Sequence, residues 1–190
     1  MSPSDFFGRL ITLLEQTGIP FMVAGSLGSG VHGQPRTTND MDVVISPTEE
    51  QLRQFLASLG PNYYVSKQAA QEAFRQRSMF NIIDLDSGLK ADLIFRKDRP
   101  FSLEEFQRRR PVTLLGTTAP VASPEDIILS KLEWSKITES DRQIQDALGV
   151  AVVQGSSLDG AYLRQWAEEL GVTDRLEEVL AEAERLKGIP

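Results

Sequence analysis

The sequence predicts a fold of helices and strands, α/β (α+β). In this fold, helices flank a mixed sheet and a C-terminal helical bundle follows. Short apolar runs bounded by Gly, Pro and Ser recur in the first two thirds of the chain, which is typical of strands joined by turns. Segments with helical spacing of apolar residues alternate with these runs. From Ser123 onward no strand pattern clearly appears. We therefore expect a core at residues 1–122 and a C-terminal helical subdomain at residues 123–190 packed on it.

Composition excludes several classes of protein. A chain of 190 residues can bury a sizeable core, and the absence of Cys excludes disulfides and thiolate metal sites. The formal charge of -7 argues against non-specific coating of nucleic acid, which needs clustered cations. The longest apolar runs are far shorter than the roughly 20 residues that cross a bilayer. With no signal-peptide pattern at the N-terminus, we expect a soluble, cytoplasmic protein without membrane contact.

Turn and cap residues order the elements of the first half. Phe6 opens a helical pattern that Gly18 ends, and Pro20 prevents its continuation. Ser46, Pro47 and Glu49 supply an N-cap, a first-turn proline and a capping glutamate. The expected order is a helix from Phe6, a strand at 21–24, a short helix or turn at 26–33, a strand at 41–45, a helix after Pro47, an extended segment at 63–65 and a helix at about 67–76.

The remaining elements follow the same signals. The trio Asp86, Ser87 and Gly88 predicts a hairpin between strands at 79–85 and 89–96. Ser102 is the expected cap of a short helix. The expected later elements are a strand at 112–115, an extended segment at 120–122 that leads out of the sheet, and helices at about 124–136, 139–153, 158–170 and 173–186.

Two carboxylates stand close together at the head of the second strand. Asp40 and Asp42 are two residues apart, so their side chains leave the same face of a strand. Carboxylates held this close repel each other unless a cation lies between them, and Mg²⁺ prefers such oxygen ligands. Asp92 lies in an apolar strand, where a carboxylate without a partner is costly. It is therefore the expected third ligand of a two-metal site for displacement at phosphorus.

A Gly-Ser turn precedes the acidic pair. Gly25 allows close approach of backbone to a phosphate, and Ser26 opens a segment whose N–H groups favour an anion. A lone Asp-x-Asp is more often a turn or cap, and a lone Gly-Ser carries almost no information. The specific signal is their order in the chain, with a third Asp in a later strand.

This order resembles the nucleotidyltransferase superfamily of DNA polymerase β-like fold, over roughly residues 21–95. The resemblance implies transfer of a nucleoside monophosphate from a nucleoside triphosphate, with two Mg²⁺ ions, or Mn²⁺ as an alternative. It implies that Gly25 and Ser26 hold the triphosphate and that Asp40 and Asp42 bind both metals. Asp92 would bind one metal and help to activate the attacking hydroxyl.

Residues 123–132, followed by Asp141 and Asp146, are similar to the C-terminal motifs of the AbiEii-type branch. That branch comprises bacterial proteins that include toxins of toxin–antitoxin systems. The similarity implies that Lys131 contacts phosphate and that Asp141 or Asp146 faces the nucleotide, with the choice between them open. Arg36 matches the basic residue ahead of the Asp-x-Asp motif, and Thr38 is counted with the phosphate-binding residues.

Simpler interpretations exist for several of these residues. Lys131 shares a helix face with apolar residues and could extend its stem over them with its ammonium in water. Thr37 and Thr38 could satisfy backbone groups of their loop. We expect Trp134 and Trp166 in the core or at a helix interface, and the only histidine, His32, to pack or to face solvent rather than to bind a metal.

The predicted function is metal-dependent nucleotidyl transfer to an acceptor that the sequence does not identify. The acceptor could be an RNA or tRNA end, a protein hydroxyl or a small molecule, and an antitoxin protein is the candidate partner. The alternative is a non-catalytic nucleotide-binding or interaction module on the same fold. A structural protein whose acidic residues only cap strands is the third interpretation.

Overall fold

The computed structural model describes residues 3–35, 37, 38, 40–138 and 140–187. The strands are β1 (Phe21–Val23), β2 (Asp40–Ile45), β3 (Tyr63–Tyr64), β4 (Met79–Asp84), β5 (Lys90–Phe95), β6 (Arg110–Leu114) and β7 (Thr117–Val121). The helices are α1 (Pro3–Gln16), α2 (Gly25–His32), α3 (Glu49–Ser58), α4 (Lys67–Gln76), α5 (Pro100–Arg108), α6 (Pro124–Thr138), α7 (Asp141–Gln154), α8 (Gly160–Leu170) and α9 (Thr173–Lys187).

The strands of the described residues form one mixed sheet in the order β3-β4-β5-β2-β1-β7-β6. The pairs β2–β5 and β1–β7 are parallel, whereas β1–β2, β3–β4, β4–β5 and β6–β7 are antiparallel. A mixed sheet with flanking helices and a helical C-terminal part confirms the predicted fold class.

The chain divides into two compact units. The first unit comprises Met1–Ala24 and Thr37–Val121 and holds the whole sheet. The second unit comprises Gly25–Arg36 and Ala122–Pro190, so that α2 is grouped with the C-terminal helices. The sequence-based division after residue 122 stays a prediction.

Alternation along the strands separates an apolar face of the sheet from a polar one. On β5, Ala91, Leu93 and Phe95 are fully buried, and they point to one face. Val43 of β2 is paired in register with Leu93 and is also fully buried. The first helix, α1, buries its apolar stripe of Phe6, Phe7, Leu10, Ile11 and Leu14. Lys90 and Asp92 alternate with the buried apolar residues of β5, and they therefore project from the other face of the sheet.

Three local predictions are wrong. Thr48 rather than Ser46 is the N-cap of α3, and it forms a capping box with Gln51. Arg99 precedes α5, which starts on Pro100, so Ser102 lies inside the helix. Residues 120–122 do not lead out of the sheet, because β7 pairs with β1 and β6 inside it. Its Pro120 is paired in register with Pro111, so both missing N–H groups fall at one position of the ladder.

Helices α6 to α9 confirm the helical prediction for the last third of the chain. In the second unit α2 packs against α6 and α7. His32 of α2 is half-buried, and its Nε2 atom lies 2.7 Å from the carbonyl oxygen of Ala122. Among the described residues, no helix is both long and apolar enough to cross a membrane.

The approach of α2 to α7 makes Gly33 a sensitive position. A Cβ atom on Gly33 would lie 2.8 Å from the Val150 nitrogen and 2.9 Å from the Gly149 carbonyl carbon. Both atoms belong to the backbone of α7, which cannot turn aside as a flexible side chain can. A Cβ on Gly149, in contrast, would meet its nearest neighbour at 3.8 Å, on Gln34.

We predict that Gly33→Ala lowers the free energy of unfolding by about 1–3 kcal/mol, because the new methyl group forces α2 and α7 apart. The matched control Gly149→Ala should raise it by up to about 1 kcal/mol, since alanine favours a helix interior. Urea unfolding followed by circular dichroism measures both changes. Equal stability of the two variants would contradict the close approach.

Candidate functional site

Parallel pairing of β2 with β5 brings the predicted acidic residues together in the first unit. Asp42 is paired in register with Asp92, and Asp40 with Lys90. Residues paired in register on adjacent strands point to the same face of a sheet, as do residues two apart on one strand. All four side chains therefore leave the polar face as one quartet. We call Asp40, Asp42, Asp92 and Lys90 the carboxylate site.

The ammonium of Lys90 lies between two of the carboxylates. Its Nζ atom is 3.0 Å from Asp92 Oδ2 and 3.6 Å from Asp40 Oδ1. The hydrogen bond that Lys90 donates to Asp92 raises the pKa of Lys90 above its ordinary value, and the charges of Asp92 and Asp40 act in the same direction. Lys90 is thus held in its charged form within the site.

Asp92 is the most enclosed member of the carboxylate site. The residue is 7% exposed, whereas Asp42 is half-buried and Asp40 is exposed. Its Oδ1 atom is fully buried and accepts no hydrogen bond from the described residues. A buried carboxylate oxygen without a donor is unfavourable. The site therefore presents an acceptor atom that a bound cation would satisfy.

The donor set suits a hard divalent ion, because carboxylate oxygens are the ligands that Mg²⁺ and Mn²⁺ prefer. The Oδ1 atom of Asp92, which is buried and accepts no hydrogen bond from the described part of the chain, supports this fit from the structure itself. In the part of the chain that the structure describes, no three acidic or histidine side chains converge closely enough to hold a metal as they stand. Among the described residues, the cation that pairs with Asp92 is the ammonium of Lys90.

The loop before β2 supports the carboxylate site through its backbone. The Thr38 hydroxyl donates to the Asp40 carbonyl oxygen at 3.1 Å and accepts from the Asp40 N–H at 3.3 Å. This is the geometry of the simpler interpretation of Thr38, in which it satisfies loop backbone groups. Arg36, the predicted basic residue of this loop, lies outside the described residues.

Sequence reasoning missed two residues of this face. Lys90 stands two positions before Asp92 on the same strand, and that spacing was a readable signal. Asn81 of β4 is exposed and is paired in register with Asp92, so that it borders the site from the other side. No sequence signal indicates Asn81, because its place depends on the antiparallel register of β4 with β5.

The Gly-Ser turn begins α2 in the second unit. Gly25 has a φ of 57°, in the left-handed region that only glycine adopts without strain. Ser26 follows it in the first turn of the helix, and its carbonyl oxygen accepts a hydrogen bond from the Ser29 hydroxyl at 3.0 Å. The sequence thus places glycine where the backbone conformation requires it.

Lys131 and Asp146 form a buried ion pair in the second unit. Lys131 Nζ donates to Asp146 Oδ2 at 2.7 Å, and the two side chains are 7% and 8% exposed. The interpretation in which the Lys131 ammonium reaches water is therefore wrong, because α7 supplies a carboxylate over it. Asp141 is exposed at the first residue of α7. The pairing thus brings Asp146, and not Asp141, to Lys131.

A second buried carboxylate fixes the start of α6. Asp126 is fully buried, and it accepts hydrogen bonds of 2.6 Å from the hydroxyls of Ser123 and Tyr162. The bond from Ser123 caps the start of α6, and the bond from Tyr162 joins α6 to α8. Trp166 of α8 is buried. Trp134 of α6 is 43% exposed, which excludes the core, one of the two places expected for it.

Comparisons with known proteins yield structural matches only. No known protein family matches the sequence, and no curated protein matches it either. The solution structure of the antibiotic-resistance factor ANT(2'')-Ia is 10% identical over 92% of this chain and 96% of that chain, with a TM-score of 0.60. ANT(2'')-Ia in complex with adenylyl-2''-tobramycin is 12% identical over 99% of this chain and 100% of that chain, with a TM-score of 0.56.

An antigenic nucleotidyltransferase-like protein from Paracoccidioides brasiliensis is also similar, with 17% identity over 94% of this chain and 91% of that chain and a TM-score of 0.56. At these identities the likeness concerns the fold. The chain therefore has the α+β nucleotidyltransferase-like fold.

Proposed function

We propose that this chain is a metal-dependent nucleotidyltransferase, which moves a nucleoside monophosphate from a nucleoside triphosphate to a hydroxyl acceptor. The observation that carries the proposal is the register of β2 with β5, which sets Asp42 beside Asp92 with Asp40 on the same face. The nucleotidyltransferase-like fold supports it. A structural role alone gives no reason for three carboxylates at one end of two paired strands.

Each acidic residue has a proposed role. Asp40 and Asp42 would hold two Mg²⁺ or Mn²⁺ ions, and Asp92 would hold one of them. Bound divalent ions would neutralise charge on the phosphates and polarise the phosphorus centre. Asp92 also orients the acceptor hydroxyl and takes up its proton. The acceptor oxygen forms a bond to the α-phosphorus, the bond from this phosphorus to the β-phosphate oxygen breaks, and pyrophosphate leaves.

The proposed phosphate-binding residues lie on both sides of the Asp-x-Asp motif in the sequence. Gly25 and Ser26 supply backbone N–H groups at the start of α2, where an anion is favoured. Lys131 supplies a positive charge, and its partner Asp146 orients it. Arg36, Thr38 and Asp141 complete the predicted set and stay predictions.

The acceptor and the biological setting belong to the proposal as well. The complex of ANT(2'')-Ia carries an adenylylated small molecule, tobramycin, so a small-molecule hydroxyl is the acceptor class to test first. The charge of -7 argues against an extended nucleic-acid footprint, although an RNA or tRNA end needs less contact. Membership of the AbiEii-type branch, with a bacterial, cytoplasmic setting and an antitoxin partner, is the narrower form of the proposal. A protein hydroxyl is the remaining acceptor class.

The competing interpretation is a non-catalytic nucleotide-binding or interaction module on the same fold. Loss of one carboxylate would be the simplest way to abandon the chemistry, yet Asp40, Asp42 and Asp92 are all present. This observation favours the enzyme.

The first prediction is that the protein binds at least one of the four common nucleoside triphosphates, and more tightly with Mg²⁺ than without it. Phosphate oxygens and the three carboxylates would share the ion, which links the two binding events. Isothermal titration calorimetry with each triphosphate, in Mg²⁺ and in EDTA, measures the difference. Absence of metal-dependent binding to all four would rule out the enzyme.

Asp42→Asn should abolish nucleotidyl transfer, and its thermal midpoint should stay level or rise. The substitution removes a metal ligand but also removes repulsion between neighbouring carboxylates in the metal-free protein. Transfer of label from the α-phosphate position and differential scanning fluorimetry measure the two effects. A marked loss of stability in the metal-free variant would favour the structural role of the acidic residues.

Lys131→Met should lower the free energy of unfolding by about 3–5 kcal/mol, because it removes the ammonium that pairs with the buried Asp146 carboxylate. The double variant Lys131→Met, Asp146→Leu removes both charges and should recover most of that loss. If Lys131 and Asp146 take part in phosphate binding, the folded double variant should bind triphosphate about tenfold more weakly than the wild type, which corresponds to about 1.4 kcal/mol. Wild-type affinity in the double variant would make the pair purely structural.

A further inference from the structure

The side chain of Lys90 lies among the proposed metal ligands of the carboxylate site. Its ammonium bridges Asp92 and Asp40, at 3.0 and 3.6 Å. These are two of the three carboxylates proposed as metal ligands. A cation of this chain thus occupies contacts that the proposed function assigns to a divalent ion.

Electrostatics explains why a cation is needed there. Asp40, Asp42 and Asp92 carry three negative charges on one patch of the sheet, and Lys90 returns one positive charge. Close carboxylates without a cation would raise one another's free energy. Lys90 therefore acts as a counter-ion in the metal-free protein. Its side chain is 34% exposed, so water can reach it and it can leave the site without breaking the core.

Lys90 satisfies the site only in part. It contacts the Oδ2 atom of Asp92, while the buried Oδ1 atom of the same carboxylate stays without a hydrogen-bond partner among the described residues. An ammonium carries one positive charge and donates up to three hydrogen bonds. A divalent ion carries twice the charge and is coordinated by several oxygen atoms at once. Lys90 therefore occupies part of the site, but the carboxylate oxygens of the site suit a divalent ion better.

We propose that Lys90 is the resident counter-ion of the carboxylate site, which a divalent cation must displace from Asp92 and Asp40 in order to bind. This inference rests on the proposed function, because it takes the carboxylates as metal ligands. It goes further by assigning to Lys90 the control of metal entry. Lys90 sets the free metal concentration at which the site fills.

The test is a titration of the full chain with Mn²⁺, without nucleotide, followed by the electron paramagnetic resonance signal of free Mn²⁺. Lys90→Met keeps most of the side-chain length and removes the charge. We expect it to bind Mn²⁺ roughly tenfold more tightly than the wild type, because repulsion between ammonium and metal is lost. Lys90→Arg keeps the charge and should match the wild type. Lys97→Met removes a lysine charge from an exposed position beyond β5 and should also match it.

A second readout separates a counter-ion from an ordinary surface ion pair. Metal-free Lys90→Met should melt at a lower temperature than the wild type, and Mn²⁺ should raise its midpoint by more than it raises the wild-type midpoint. An ordinary exposed pair would change the first value slightly and leave the response to Mn²⁺ unchanged. If Lys90→Met does not fold, Lys90→Gln takes its place in both measurements.

The outcomes distinguish this inference from the proposed function. Equal Mn²⁺ affinity in the wild type and in Lys90→Met, with both proteins binding the ion, overturns the role of Lys90 and leaves the metal site standing. Weaker binding in Lys90→Met likewise overturns it, since Lys90 would then support the ligand geometry. If no variant binds Mn²⁺, both the inference and the metal dependence of the proposed function fail together.

Discussion

Parallel pairing of β2 with β5 is the constraint on which the rest of the candidate site depends. A one-residue shift of this register would move a whole strand's side chains to the opposite face of the sheet. The apolar partners Val43 and Leu93, both fully buried, oppose any such shift. The hydrophobic core on one face of the sheet thereby fixes the polar quartet on the other. Acidic side chains that repel one another are held together by the burial of their neighbours.

The carboxylate site is consequently a place where folding and function make opposite demands. Folding favours dispersed charge, whereas binding of a metal and a triphosphate requires concentrated negative charge. The chain meets the first demand with Lys90, which pairs with two of the carboxylates. The second demand is reflected in Asp92, whose buried Oδ1 atom accepts no hydrogen bond within the described ranges of the chain. Without a ligand, the negative charge of the site is partly balanced by Lys90. The oxygen ligands that a divalent ion would use are not fully satisfied until such an ion binds.

The second unit buries charge in a different way. Lys131 of α6 is enclosed together with its partner Asp146 of α7. Asp126 is enclosed with two hydroxyl donors, one at the start of α6 and one on α8. Buried polar groups of this kind contribute little net stability but are costly to break, so they favour one helix arrangement over alternatives. The same contacts that fix α6 against α7 thus hold the ammonium of Lys131 in a defined place.

Local signals in the sequence determined most of the elements and the types of residue in the site. Turn and cap residues located the helices and the hairpin, and alternation put Asp92 opposite Leu93 and Asp40 beside Asp42. They failed at β7, because proline is ordinarily confined to edge strands, whereas Pro120 lies in a strand that pairs on both sides. Only the tertiary structure decided which strands pair and in which register, and so placed Lys90 and Asn81 beside the carboxylates and Asp146 on Lys131. Such contacts join residues far apart in sequence, and the free energy that selects them comes from burial across the whole core rather than from any local pattern.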